Sequence, residues 1–284
     1  MSGLLDFLQA KRSAAAPVMR VRVEIAKGST PRETGVFMLV SAQDCAGTIG
    51  GGRLEWEAIR MAREALARHA AMDNIAIPLG PSIGQCCGGH VTLSLTPVDA
   101  AVTAQIEAAE AEARKAQPYV IVFGAGHVGR ALVAALGLLP FQVRWVDERE
   151  DEFKIGKPAN HVEVVVAEQA LAEVRRAPPG SAFVVLTHSH SLDALIVSAV
   201  LDRGDFAYLG LIGSKSKRKT FEHALRESGY TRAQLARLTC PIGGAQVHDK
   251  RPEIIAAMTA AEIIEVLSKQ QQAADERQHT QRAL

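Results

Sequence analysis

The apolar run Tyr119-Val120-Ile121-Val122-Phe123 leads straight into Gly124-Ala125-Gly126-His127-Val128-Gly129, and a helical pattern from Val128 to Leu138 follows. Strand, G-x-G-x-x-G turn and helix in that order point to a Rossmann-type unit. The glycines permit a tight turn, close approach of a phosphorylated ligand and packing of helix on strand, while the helix N-terminus favours an anion. The next expected strand, Gln142–Val146, ends at Asp147, where an acid can read ribose hydroxyls. Glu148, Arg149 and Glu150 follow it, so Asp147 equally suits a helix cap. Gly124, Gly126, His127, Gly129 and Asp147 are therefore candidate ligand-binding residues.

The same alternation continues downstream. Apolar strands are expected at Val162–Val166, Phe183–Leu186 and Phe206–Leu209, with helices at Glu168–Arg175, Ser191–Arg203 and Lys215–Ser228. Continuous apolar strands alternating with helices predict a parallel sheet covered on both faces. A last helix is expected from Pro252 to Leu267, and the polar, glutamine-rich stretch 270–284 reads as a disordered tail.

Two further loops lie where such sheets bind ligands. Thr187-His188-Ser189-His190, with Asp193, follows a strand. His188 and His190 are candidate ligand contacts, a His-x-His-x-x-Asp metal set is a second reading, and plain loop hydrogen bonding with Asp193 as a cap is a third. Gly213 and Ser214 open the next helix; Ser214 suits an N-cap, and Lys215 and Arg218 suit either an anion or a solvated basic face. Cys240-Pro241-Ile242-Gly243-Gly244 reads as a turn.

The first half has a different pattern. Val18–Ala26 alternates as a half-buried strand does, with further strands expected at Val36–Val40, Ile75–Leu79 and Val91–Leu95 and helices at Leu4–Leu8 and Leu54–His69. Gly50-Gly51-Gly52-Arg53-Leu54-Glu55 resembles a second phosphate loop entering a helix, although no Walker Lys-Ser/Thr pair follows and ATP hydrolysis is not supported. In Gly84-Gln85-Cys86-Cys87-Gly88-Gly89, Gln85, Cys86 and Cys87 are candidate cofactor contacts, with the two thiols able to meet a soft metal or exchange sulfur. The spacing does not suit structural zinc, and a buried, inert thiol is the alternative. The expected fold is α/β: a smaller N-terminal α+β domain (1–101), a helical linker (102–118) and a C-terminal Rossmann-type parallel sheet (119–269), followed by the tail.

With 48% hydrophobic and 22% charged residues, the 284-residue chain can bury a substantial core. A formal net charge of +1 gives no general attraction to nucleic acid or anionic membrane. No run reaches the length of a membrane span, the first residues lack a signal-peptide core, and four scattered cysteines do not make a disulfide framework. The expected setting is cytoplasmic and reducing.

Several of these segments occur together in one known family. Lys27-Gly28-Ser29-Thr30-Pro31-Arg32, Gly51-Gly52-Arg53-Leu54-Glu55, Gly84–Gly89, Phe123–Gly129, Val146-Asp147-Glu148-Arg149, Thr187–His190, Gly210–Ser214 and Cys240-Pro241-Ile242-Gly243 resemble, in order, the xanthine dehydrogenase accessory proteins of the XdhC/CoxI family. The resemblance runs from about residue 17 to 267, and Gly243–His248 departs from it. It implies a chaperone without turnover of its own. Such a protein transiently binds the molybdenum cofactor (molybdopterin), protects it, supports its sulfuration with a cysteine desulfurase and inserts it into apo-xanthine dehydrogenase, in purine catabolism. It also implies a homodimer, and Cys86 or Cys87 facing molybdenum or the transferred sulfur. Two rivals use the second domain only: an NAD(P)-dependent oxidoreductase, with Asp147 on the ribose and His188 or His190 as proton donor, and a nucleotide-sensing regulatory module.

Overall fold

A computed structural model describes residues 2–79, 88–154, 158–159, 161–244 and 249–282. The chain divides into two compact units, Met1–Ala113 and Arg114–Leu284.

The first unit is built on a five-stranded antiparallel sheet in the order β3-β2-β1-β5-β4. Its strands are β1 (Met19–Lys27), β2 (Phe37–Val40), β3 (Cys45–Gly47), β4 (Met72–Pro78) and β5 (His90–Pro97), with helices α1 (Ser2–Ser13), α2 (Gly52–Ala67) and α3 (Ala100–Lys115). Successive strand side chains point to opposite faces. Met19, Val21 and Val23 thus share one face of β1 and pack with Met38, Leu93 and Leu95 against Leu54, Ala58 and Ala62 of α2. On the opposite side, Leu39 and Val18 join Leu4 and Leu8 of α1 and Val102 and Ile106 of α3. The stretch expected as a helical linker is therefore helical, but its N-terminal part is anchored on the first unit through Val102 and Ile106. Its scarcity of apolar residues concealed that those two share one helical face.

The second unit carries a six-stranded parallel sheet, ordered β11-β10-β9-β6-β7-β8. Strands β6 (Tyr119–Phe123), β7 (Gln142–Asp147), β8 (Val162–Val166), β9 (Ala182–Val185), β10 (Tyr208–Leu211) and β11 (Leu238–Thr239) alternate with α4 (His127–Leu136), α5 (Ala170–Arg176), α6 (His190–Arg203), α7 (Lys215–Glu227), the one-turn α8 (Arg232–Leu235) and α9 (Pro252–Arg282). Starting from β8, this is the 3-2-1-4-5-6 order of the dinucleotide-binding folds. The pleat of β6 divides the core: Val120 and Val122 pack with Leu132, Val133 and Leu136 of α4 and Ala256, Ala260 and Ile263 of α9. Ile121 and Phe123 instead face Val174 of α5 and Ile196, Val197 and Val200 of α6. Burial on both faces is why the inner strands β6, β9 and β10 have no polar alternation.

Some boundaries differ from expectation. β10 lies two residues later than Phe206–Leu209, because Gly204 ends α6 in a left-handed conformation and residues 205–207 first cross back to β9. The short β3, α8 and β11 fall below what periodicity detects. The expected tail is not structureless throughout: α9 continues to Arg282, and its Ala, Gln, Glu and Arg content gives the high helix propensity that sustains it. No helix among the described residues is long and apolar enough to cross a membrane.

Candidate functional site

The order of the parallel sheet reverses between β6 and β9, and the loops after these strands frame a crevice at their C-terminal ends. A Cβ on Gly124 would lie 2.2 Å from the Leu186 carbonyl oxygen, and one on Gly129 would lie 2.1 Å from the Gly124 carbonyl oxygen. Both contacts are with backbone that has nowhere to move, so packing alone demands glycine at these positions. Gly126 is different. A Cβ there would meet no atom within 4 Å, so the packing of the fold does not demand a glycine.

Helix α4 starts at this open position with Gly126 as N-cap and no side-chain cap. The neighbouring α6 and α7 are closed by their own serines, Ser189 accepting from the Leu192 N–H and Ser214 from the Lys217 N–H. An uncapped helix start beside a vacant glycine cradle suits a phosphoryl group. His127 is exposed in the first turn of α4.

Asp147 lies beneath the turn. Its Oδ2 accepts the Ala125 N–H at 2.6 Å and a bond from Arg149 Nη2 at 2.9 Å, while Oδ1 accepts the Arg149 backbone N–H and Nε, both at 3.0 Å. Burial by itself would raise the carboxyl pKa; the Arg149 and Ala125 hydrogen bonds outweigh it and hold the group below its ordinary value. Both oxygens being engaged, reading a ribose diol would require this clamp to open. Arg149 and Arg130 both reach Glu152, and Arg130 also donates to the Ala125 carbonyl, so the turn is tied on a second side. The Trp145 indole N–H donates to the Gly124 carbonyl at 3.1 Å. Arg130 and Glu152 had no sequence signal, since their partnership is created by α4 approaching the segment after β7.

The crevice is lined by Gly124, Asp147, Glu148, Glu168, Thr187 and His188. His188 Nε2 stands 3.5 Å from Glu148 Oε1 at the rim, whereas His190 is largely exposed at the start of α6. Asp193 is fully buried: Oδ1 accepts the Thr187 N–H and hydroxyl, and Oδ2 pairs with Lys217 Nζ at 2.9 Å. It shapes the Thr187 loop and reaches beyond a simple cap. Among the described residues no group of three or more His, Cys, Asp or Glu side chains is placed to hold a metal, so His188, His190 and Asp193 do not form the chelating set considered from sequence.

The Gly213–Ser214 loop is largely committed to the fold. Lys217 is spent on Asp193, and Arg218 bonds the Cys240 carbonyl and Glu222, leaving Lys215 as the exposed cation of the pair singled out from sequence. Lys217 escaped sequence reasoning because nothing in a basic helical turn marks which lysine turns inward. Cys240 is buried, and that burial pushes its thiol pKa up against the lowering influence of Arg218 and Lys217. Gln85, Cys86 and Cys87 lie outside the described residues.

The supposed second phosphate loop is overturned. Glu55 Oε2 accepts the Ile49 N–H at 3.0 Å, the Gly51 N–H at 3.1 Å and the Thr48 hydroxyl at 2.5 Å. The anion of this loop is the protein's own carboxylate, supplied from the first turn of α2.

Comparison with known proteins gives a consistent picture. A family profile described as the XdhC Rossmann domain matches residues 120–263, and one described as the XdhC and CoxI family matches residues 12–73. An uncharacterized protein of Escherichia coli (strain K12), YqeB, is 26% identical over 258 residues, covering 88% of this chain. The chain spans 43% of the length of that relative. A Bacillus halodurans crystal structure described as that of a xanthine dehydrogenase superposes with a TM-score of 0.73 over 93% of this chain and 96% of the other, at 17% identity, a likeness of fold.

Proposed function

This chain belongs to the XdhC and CoxI family, and from that premise we propose that it is an accessory factor in the maturation of a xanthine dehydrogenase-type molybdenum enzyme. Its cargo is the molybdenum–pterin cofactor, which it holds, protects during sulfuration and delivers to the apo-enzyme. The observation that carries this reading is the vacant cradle at Gly126. Two of the three glycines are required by backbone packing; the third is open beside uncapped helix amides, which supports seating the phosphate end of the cargo there.

The chain's own residues have distinct tasks in this scheme. Asp147, Arg149 and Arg130 fix the turn so that the amides are preorganised before the ligand arrives. Glu148, Glu168 and His188 line the crevice beside it and can accept hydrogen bonds from a ring amine. The bound cofactor supplies the molybdenum that the client enzyme later uses. Cys86 and Cys87 are assigned to the sulfuration step or to contact with the metal, with a cysteine desulfurase as the sulfur source. The engaged Asp147 favours this cargo over NAD(P), whose ribose the same carboxylate would have to read.

Isolation of the full chain from cells that make the cofactor tests the proposal. Molybdenum by elemental analysis and pterin fluorescence after oxidative release are expected in constant proportion to protein. Tight NADH binding with neither molybdenum nor pterin would establish the oxidoreductase alternative instead. Exchange of both Cys86 and Cys87 for alanine is expected to abolish activation of the client enzyme; unchanged cofactor retention and unchanged activation would remove the thiols from the scheme.

A further inference from the structure

The first unit contains a pair of arginines that the reading above does not use. Arg20 and Arg22 alternate along β1 with the core residues Met19, Val21 and Val23, and so point to the opposite face of the sheet. Along a strand such neighbours are spaced by about 6.6 Å at ~3.3 Å per residue. In register across β5, Thr96 stands opposite Arg20 and Ser94 opposite Arg22. This half of the face is polar: Thr92 and Ser94 are buried, and the two guanidiniums are half-buried beside them.

The charges do not balance locally. Arg20 Nε is buried and has no hydrogen-bond partner among the described residues. Among the described residues Glu24 is the carboxylate acting on Arg20, and it is already engaged: its Oε1 accepts the Ser94 hydroxyl at 2.6 Å and lies 3.8 Å from Arg22 Nη1. Burial first, and the neighbouring Arg22 second, lower the Arg20 pKa, with Glu24 opposing. A guanidinium nevertheless stays protonated in a protein, so the pair remains two like charges with one shared carboxylate. Leaving a buried guanidinium donor unsatisfied is costly, and an arginine fork matches the oxygens of a tetrahedral anion.

We propose that the polar face of β1 and β5 is a binding site for a tetrahedral oxyanion, a phosphoryl group or a free ion of that shape, held by Arg20 and Arg22 with the Thr96 hydroxyl. The site lies in the first unit and does not depend on what occupies the glycine turn of the second. The anion bridges the accessible ends of the two guanidiniums and supplies the missing negative charge.

Titration calorimetry of the full chain with inorganic phosphate and, separately, with a simple phosphomonoester tests this, using chloride at matched ionic strength as the blank. Saturable binding is expected. Tighter binding of the monoester identifies the site with the phosphate end of a larger ligand, and tighter binding of phosphate identifies it with the free ion. Arg22→Gln, at a part-exposed position where the fold is not at stake, is expected to weaken the binding about tenfold or more. Glu24→Gln is expected to tighten it by removing the competing carboxylate. Gly126→Ala removes any binding at the glycine turn, so the arginine site is read as the saturable component that persists in Gly126→Ala and is lost in Arg22→Gln. Heat identical to the chloride blank, or affinity unaffected by both Arg22→Gln and Arg20→Gln in variants with native circular dichroism, overturns the proposal.

Discussion

Two glycine-rich loops enter helices in this chain, and they have opposite fates. At Gly50–Gly52 the amides of Ile49 and Gly51 converge on Glu55, a side chain from the helix the loop introduces. At Gly124–Gly129 the buried carboxylate, Asp147, takes only the Ala125 amide from below, and the helix start beyond Gly126 is left without a cap. One loop is a closed structural turn and the other an open cradle. Glycine spacing reports that backbone must bend or approach something closely; it does not say whether that something is the protein itself.

Substitutions can break this contrast, and the largest effect is expected at Gly129. Gly129→Ala places a methyl group 2.1 Å from a carbonyl oxygen, and overpacking against fixed backbone predicts a loss of about 3 kcal/mol or more in denaturant unfolding. A loss below 1 kcal/mol would mean the turn is looser than its geometry. Next, Glu55→Ala strips the closed loop of its anion, leaving three donors unmatched, and is expected to cost about 1–3 kcal/mol. Thermal unfolding indistinguishable from the parent would show that water replaces Glu55 without penalty.

Asp147→Asn sharpens the comparison through pH. The folded-state pKa of Asp147 is depressed, so its contribution is complete above the ordinary carboxylate value of about 4 and is lost as pH falls through the lower folded value. The stability gap between parent and Asp147→Asn is therefore expected to be constant near neutrality and to close in the acid range; a gap that widens on acidification would contradict the clamp. The smallest effect on the fold is expected at Gly126. Its φ of −70 suits alanine, so Gly126→Ala should change stability by less than about 1 kcal/mol. Retention of the proposed molybdenum–pterin cargo should nevertheless fall about tenfold, corresponding to ~1.4 kcal/mol, as the methyl group occupies the cradle. Loss of stability without loss of retention would reverse the roles given to the two loops.

Much of the second unit was legible because its signals are redundant. Short apolar runs alternate with helical stretches along it, and β8 falls at the residues expected from them. Sites were less legible. Asp147 stood out by position, yet only the fold reveals that its carboxylate is engaged by Ala125 and Arg149. Lys217 and Arg218 differ little in a basic helical turn, but only tertiary packing sends one to the buried Asp193 and the other to the Cys240 carbonyl. Arg20 reads as an ordinary outward residue of an alternating strand, and nothing local reveals that its Nε is buried without a partner.

By itself, then, the sequence determined the period of each element, the two-part organisation and the ordered set of motifs that places the chain in its family. Those properties depend on local spacing: 2.0 residues for a strand, 3.6 for a helix, and glycine where the backbone requires it. Whether a glycine loop is closed by the protein's own groups was decided only in three dimensions, because a hydrogen-bond donor is satisfied by whatever acceptor the fold brings within reach. Glu55 reaches one loop and closes it; no side chain caps the other, and Gly126 keeps its cradle open.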